Sequence, residues 1–141
     1  MDGAIADYNQ AIQINPTNSS DYDGRAWAKF QKNDFDAAIA DAVEAIRLNP
    51  TNGYAYGTRG WARFGKGDTS GAVEDCRKAI ELYGTNSVAI AYDQGMLDFI
   101  NGDFQKAVTS WEKVIQSDVT LKRELQPWIE KAKAKLPGEK P

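Results

Sequence analysis

Histidine is absent from this chain of 141 residues, and cysteine occurs once, as Cys76. One thiol forms no internal disulfide, and without histidine no Cys/His set with metal-ligand spacing can be assembled. The same absence removes the commonest general base for a nucleophile, so Cys76 reads as a small buried apolar residue. No apolar run approaches the roughly 20 residues of a membrane span, and the N-terminus has no signal-peptide pattern; a cytoplasmic protein is expected. Basic excess is missing too, with 17 Lys/Arg against 20 Asp/Glu and a net charge of −3. That balance gives no electrostatic ground for binding nucleic acid or an anionic membrane. There is no Gly-rich phosphate loop and no nucleophile–base pair, and carboxylate pairs such as Glu74-Asp75 read as a solvated helix face. The expectation is a protein that is not an enzyme and takes no cofactor or metal.

What is present is a repeat. The segment FDAAIADAVEAIRLNP (35–50) has a counterpart 34 residues earlier, DGAIADYNQAIQINP (2–16), and later ones in TSGAVEDCRKAIEL (69–82) and FQKAVTSWEKVIQS (104–117). Self-similarity at a fixed period signals stacked units of one supersecondary type. Ile5, Tyr8, Ala11 and Ile12 recur at three- and four-residue steps, which predicts a helix from Asp2 to Asn15, stopped by Pro16. Asn18, Ser19 and Ser20 offer N-caps for a helix running to about Lys32. The pattern then predicts a turn at Asn33-Asp34, a helix from Phe35 to Asn49, and a restart at Asn52. Further helices are expected to about Lys66, from the Gly67-Asp68 turn to about Tyr83, over 88–100, and over 104–117 after Asn101-Gly102-Asp103. Matches in the third period fall at a spacing of 35, as in Gly60 with Gly95 and Gly67 with Gly102. This reads as one residue inserted in the linker 84–87, where insertions cost little.

The last segment, Thr120 to Leu136, departs from the pattern. Leu121, Leu125, Trp128, Ile129, Ala132 and Leu136 form one apolar stripe, as in a helix that caps an open end and turns a charged back to water. The segment is mildly basic on an acidic body: residues 120–141 carry a net +3 and residues 1–119 a net −6. Pro127 inside it predicts a kink or a short break. The expected organisation is one domain over 1–137, with a half repeat at 2–17, repeats at about 19–52, 53–87 and 88–120, a capping helix at about 120–136, and a frayed tail at 138–141.

Helix–turn–helix units of 34 residues with small residues at fixed places resemble the tetratricopeptide repeat family, whose pattern has Trp, Leu-Gly and Tyr in the first helix and Ala, Phe and Pro in the second. The matching positions hold Tyr22, Arg25-Ala26, Lys29, Ala38, Ala42 and Pro50, then Tyr56, Arg59-Gly60, Arg63, Ala72, Cys76 and Gly84. In the third unit they hold Ala91, Gln94-Gly95, Asp98, Ala107, Trp111 and Val119. The small pair persists in every unit (Ala26/Ala38, Gly60/Ala72, Gly95/Ala107), whereas the large-residue places do not. The resemblance covers Asp2 to about Leu121 and implies an all-α, right-handed alpha-solenoid of antiparallel helix pairs. It further implies a concave groove lined by each first helix, in which an extended peptide or partner helix binds without catalysis.

At about 100° per residue, Tyr22, Ala26 and Phe30 share an arc, with Trp27 some 60° beyond. Phe30, Phe64 and Phe99 are therefore expected in the core, and Trp27, Trp61 and Met96 at its edge, each partly buried with one side towards the groove. Small Ala42 and Cys76 in the second helices match Trp27 and Trp61, and large Trp111 matches Met96, a swap that keeps core volume constant. Tyr54 and Tyr92, with Asp23, Thr58 and Asp93, should line the groove more openly, and Gln31 and Gly57 join them. The family's clamp for a chaperone tail's terminal carboxylate uses lysines, asparagines and an arginine. The corresponding Asp23, Trp27, Thr58, Ala89 and Asp93 do not match, so that partner is excluded and a basic or apolar one is expected.

The first repeated segment has no first helix before it, leaving Ile5, Tyr8 and Ile12 only the following pair for cover. Two readings stay open: a piece of a longer array, or an end that meets a second copy in a homodimer. The functional readings are likewise two. One is a protein-interaction module; the other is a self-assembling unit whose groove or end is filled by another copy.

Overall fold

The loop inside each repeat turns the chain in one way. Asn33, Gly67 and Gly102 all adopt the left-handed backbone, at φ of 63°, 91° and 85°. Glycine takes that conformation without a steric cost, and asparagine is among the residues that tolerate it. The aspartate after each opens the next helix, and the carboxylates of Asp34 and Asp68 accept from the amides of Ala37 and Gly71. Between repeats, the side chains of Asn18, Asn52 and Asn86 accept from the amides of Ser20, Ala55 and Ala89. These caps satisfy orphan N–H groups at helix starts.

The resulting helices, in a computed structural model that describes residues 2–138, are α1 (Asp2–Ile14), α2 (Ser19–Gln31), α3 (Phe35–Leu48), α4 (Gly53–Gly65) and α5 (Thr69–Leu82). They continue with α6 (Ser87–Ile100), α7 (Phe104–Ser117), a 3-10 turn (Val119–Leu121) and α8 (Lys122–Ala134). No strand occurs among the described residues. The helices group into two compact units, Met1–Gly84 and Thr85–Pro141. In the first, each helix packs on the next from α1 to α5, and α2 also meets α4; in the second, α6 packs on α7 and α7 on α8. The all-α fold of consecutive helix pairs is the one expected.

Three expectations are corrected. The extra residue of the third period lies inside α6 and not in the linker. The capping asparagines keep the 34-residue spacing through Asn86, whereas the turn residues move from Gly67 to Gly102, and α6 has 14 residues against 13 in α2 and α4. Pro127 causes no break: α8 runs unbroken through it, anchored on both sides by buried Leu125, Ile129 and Ala132, and the 3-10 turn comes before it instead. Phe30, Phe64 and Phe99 are half-buried; the fully buried large side chains are Trp61, Trp111, Met96, Leu125 and Ile129. Of the tail expected at 138–141, residues 139–141 lie outside the described residues.

Close approach of the paired helices rests on the small residues. Ala26, Ala38, Ala72 and Ala107 are wholly buried, as are the helical glycines Gly60 and Gly95 to the same class. A Cβ on Gly60 would sit 2.9 Å from Cys76 Sγ, and one on Gly95 only 2.3 Å from Trp111 Nε1. The Trp111 indole thus lies against a bare backbone and donates to the Tyr92 carbonyl at 3.0 Å.

Charge supplies the second tie, and here the expectation of a solvated Glu74-Asp75 face fails for Asp75, which is 2% exposed. Arg59 grips its carboxylate with Nε and Nη2 at 2.9 and 2.8 Å, and Arg63 Nη1 reaches it at 2.8 Å. One period earlier, Arg25 grips Asp41 twice at 2.7 Å and Lys29 joins at 2.7 Å. Burial alone would raise the Asp41 carboxyl, but hydrogen bonds from Arg25 and Lys29 outweigh it and hold it below its ordinary value. The third period has lost the arrangement, with Gln94 donating to Asp98 at 3.0 Å in its place.

Two substitutions test these ties. Asp75→Ala leaves two guanidinium groups facing one another without their anion, and should cost about 3–5 kcal/mol in urea unfolding, whereas Glu44→Ala, which breaks only the exposed Arg47 pair, should leave the midpoint in place. Gly95→Ala should destabilise by about 1–3 kcal/mol through overpacking, despite alanine's better helix propensity. A raised midpoint would show that the indole has room to move.

Candidate functional site

Asp23, Trp27 and Gln31 stand four residues apart on α2, and Tyr54, Gly57, Thr58 and Trp61 form the matching stripe on α4. Polar and aromatic contacts join the stripes. The Thr58 hydroxyl donates to Asp23 Oδ1 at 2.7 Å, and the Trp27 and Trp61 rings meet edge to face with centroids 6.4 Å apart. Phe30 closes the group, 4.9 Å from Trp27 and 6.2 Å from Trp61. The structure therefore brings Asp23, Trp27, Thr58 and Trp61 together within the first unit.

Exposure sorts these residues. Tyr54 is 54% exposed and leans on Tyr83, ring centroids 5.1 Å apart, while Asp23, Trp27 and Gln31 are half-buried. Trp61 is 1% exposed and Thr58 6%, and Gly57 is buried, so these three form a floor and not the open lining expected of Thr58 or the exposed edge expected of Trp61. In the second unit, Met96 and Asp93 are buried in the same way, at 0% and 2%. Tyr92 is half-buried; its hydroxyl donates to Glu124 at 3.3 Å, and burial, then the Glu124 charge, pushes the phenol well above its usual value. Tyr54 is the exposed member of the set.

Ile5, Tyr8 and Ile12 are half-buried on α1, with the Tyr8 ring lying where a Cβ on Gly24 would fall, 2.3 Å away. Away from the α2–α4 stripes, an open cleft of about 540 Å3 runs beside α5, lined by Tyr56, Arg59, Val73, Glu74, Arg77 and Glu81. Cys76 is fully buried, no group of three metal-binding side chains occurs among the described residues, and no described helix is long and apolar enough to cross a membrane.

Sequence reasoning missed the Arg25–Lys29–Asp41 and Arg59–Arg63–Asp75 clusters. Their signal was available: arginine, a second cation four residues on, and aspartate sixteen residues on, twice at a spacing of 34. Asp23 stands apart from them. Burial pushes its carboxyl up to about 6, against the Thr58 hydroxyl, which favours the charged form. The folded protein thus holds this proton more tightly than an unfolded chain with a value near 3.8, so ionising Asp23 costs stability as pH rises from about 4 to about 6. Asp23→Asn should remove that cost. The stability of the variant relative to the parent, read from urea midpoints, should climb across this interval and level off above it; a constant difference would show that Asp23 ionises freely.

Residues 24–87 match a family model described as tetratricopeptide repeat. No curated protein matches the sequence. Among solved structures, the crystal structure of MamA protein resembles the chain with a TM-score of 0.56 at 22% identity, over 95% of this chain and 78% of that one. The family is one of protein-interaction scaffolds and is in general non-catalytic. Residues 24–87 thus match the family's model, and the likeness to a solved structure over 95% of the chain shows a common fold, with consecutive helices packed on one another within each unit.

Proposed function

We propose that the chain is a protein-interaction module that takes an extended peptide or a partner helix on the face formed by α2 and α4. The observation that carries this reading is Tyr54, more than half exposed on the α4 stripe whose other end, Trp61, meets half-buried Trp27 of α2, with Trp61 and Thr58 sealed beneath. Tyr and Trp lead among the residues that anchor interfaces, since they offer large contact area for few rotatable bonds. A floor already packed and hydrogen-bonded costs little ordering on binding. Asp23 on the same face disfavours a partner that presents a terminal carboxylate, because two carboxylates would then meet.

The test compares partner capture from cell extract by the whole chain and by a Tyr54→Ala/Trp27→Ala variant, after thermal melts establish that the variant folds. Bound partners should fall about tenfold or more, in keeping with the loss of two aromatic anchors. Unchanged capture by a folded variant would overturn the assignment of this face.

A further inference from the structure

We propose that the face of α2 and α4 holds a lysine or arginine side chain of the partner peptide, bound by Asp23 Oδ2 with the Trp27 ring alongside. The proposal rests on the reading of that face as the binding surface and adds the chemistry of its occupant.

Three carboxylates in the first unit are drawn into its interior, and they are treated differently. Asp41 and Asp75 are each gripped by two cations. Asp23 has a hydroxyl alone: Thr58 donates to Oδ1, and among the described residues none donates to Oδ2. No solvent-sealed side-chain nitrogen or oxygen among the described residues lacks a partner, so Oδ2 keeps an opening to water. The opening cannot be served from within the face. The stripe of Asp23, Trp27, Gln31, Tyr54, Gly57, Thr58 and Trp61 contains no lysine or arginine. The nearby cations of α2 and α4, namely Arg25, Lys29, Arg59 and Arg63, are committed to Asp41 and Asp75.

The possible occupants then separate on energy. A carboxylate would meet Asp23 as a like charge. An apolar side chain would cover Oδ2 and leave it without a partner, the costly case for a charged acceptor. A cation gives Oδ2 a charge-assisted hydrogen bond and offsets, by its charge, the desolvation that holds the Asp23 carboxyl at about 6. Trp27, one turn along α2 and half-buried, puts an aromatic side chain next to Asp23 on the helix, and a cationic head or its alkyl stem would pack against what remains exposed of it.

The test begins with selection of binders to the whole chain from a randomised library of peptides about twelve residues long. The tightest binder is then measured, together with copies in which each lysine is replaced by norleucine and each arginine by citrulline, against the parent chain, Asp23→Asn and Trp27→Ala. The selected peptides should be rich in lysine or arginine. One replacement should weaken binding to the parent about tenfold or more, the scale of a hydrogen bond to a charged group, yet have almost no further effect on Asp23→Asn. Binders that lose affinity with Trp27→Ala but respond to no cation replacement would overturn this proposal and leave the binding face intact. Binders indifferent to both variants, or a selection that yields none, would overturn the binding face as well.

Discussion

The paired helices of this chain can approach closely because almost no side-chain volume lies between them, and most of what else is seen depends on that. The small residues at 26/38, 60/72 and 95/107 are all buried, and a Cβ on Gly60 would fall 3.3 Å from the Ala72 carbonyl oxygen. Where the second helix offers Cys76, the first offers the large Trp61; where it offers Trp111, the indole lies on the bare backbone of Gly95. Trp61 and Met96 lie within that packing, at 1% and 0% exposed.

A second constraint acts on charge. Drawing Asp41 and Asp75 inward is tolerable only because two cations surround each carboxylate with good geometry. The clusters tie the first helix of a repeat to the second, and they use up the cations of α2 and α4. Asp23 is left with a single hydroxyl partner on the face where Tyr54 is open. The position of that acid thus follows from how the repeats settle their own charges.

Much of the fold was legible from the residues because local signals repeat. The asparagine caps recur every 34 residues, the left-handed turn positions at 33, 67 and 102 and the small residues at steps of 34 and 35, and each cap and turn acts within a few residues of itself. The candidate site was legible only in part. Periodicity places Asp23, Trp27, Tyr54, Thr58 and Trp61 on neighbouring stripes, yet the degree of burial along a stripe depends on neighbours far away in sequence. Thr58 and Asp93 look alike to Asp23 in pattern and end as buried residues. The added residue in α6 illustrates the same limit. A spacing of 35 is visible in the letters, but whether it falls in a loop or a helix is decided by where the Asn86 cap and the Gly102 turn pin the ends.

The sequence by itself determined the helix pairs, their period, their turns and the absence of histidine chemistry, since these rest on propensity, capping and composition. Only the tertiary structure decided which aromatic stays open, which aspartates are gripped by cations and which is not. Those outcomes are set by packing and charge across contacts between residues such as Arg59 and Asp75 or Thr58 and Asp23, which no local rule links.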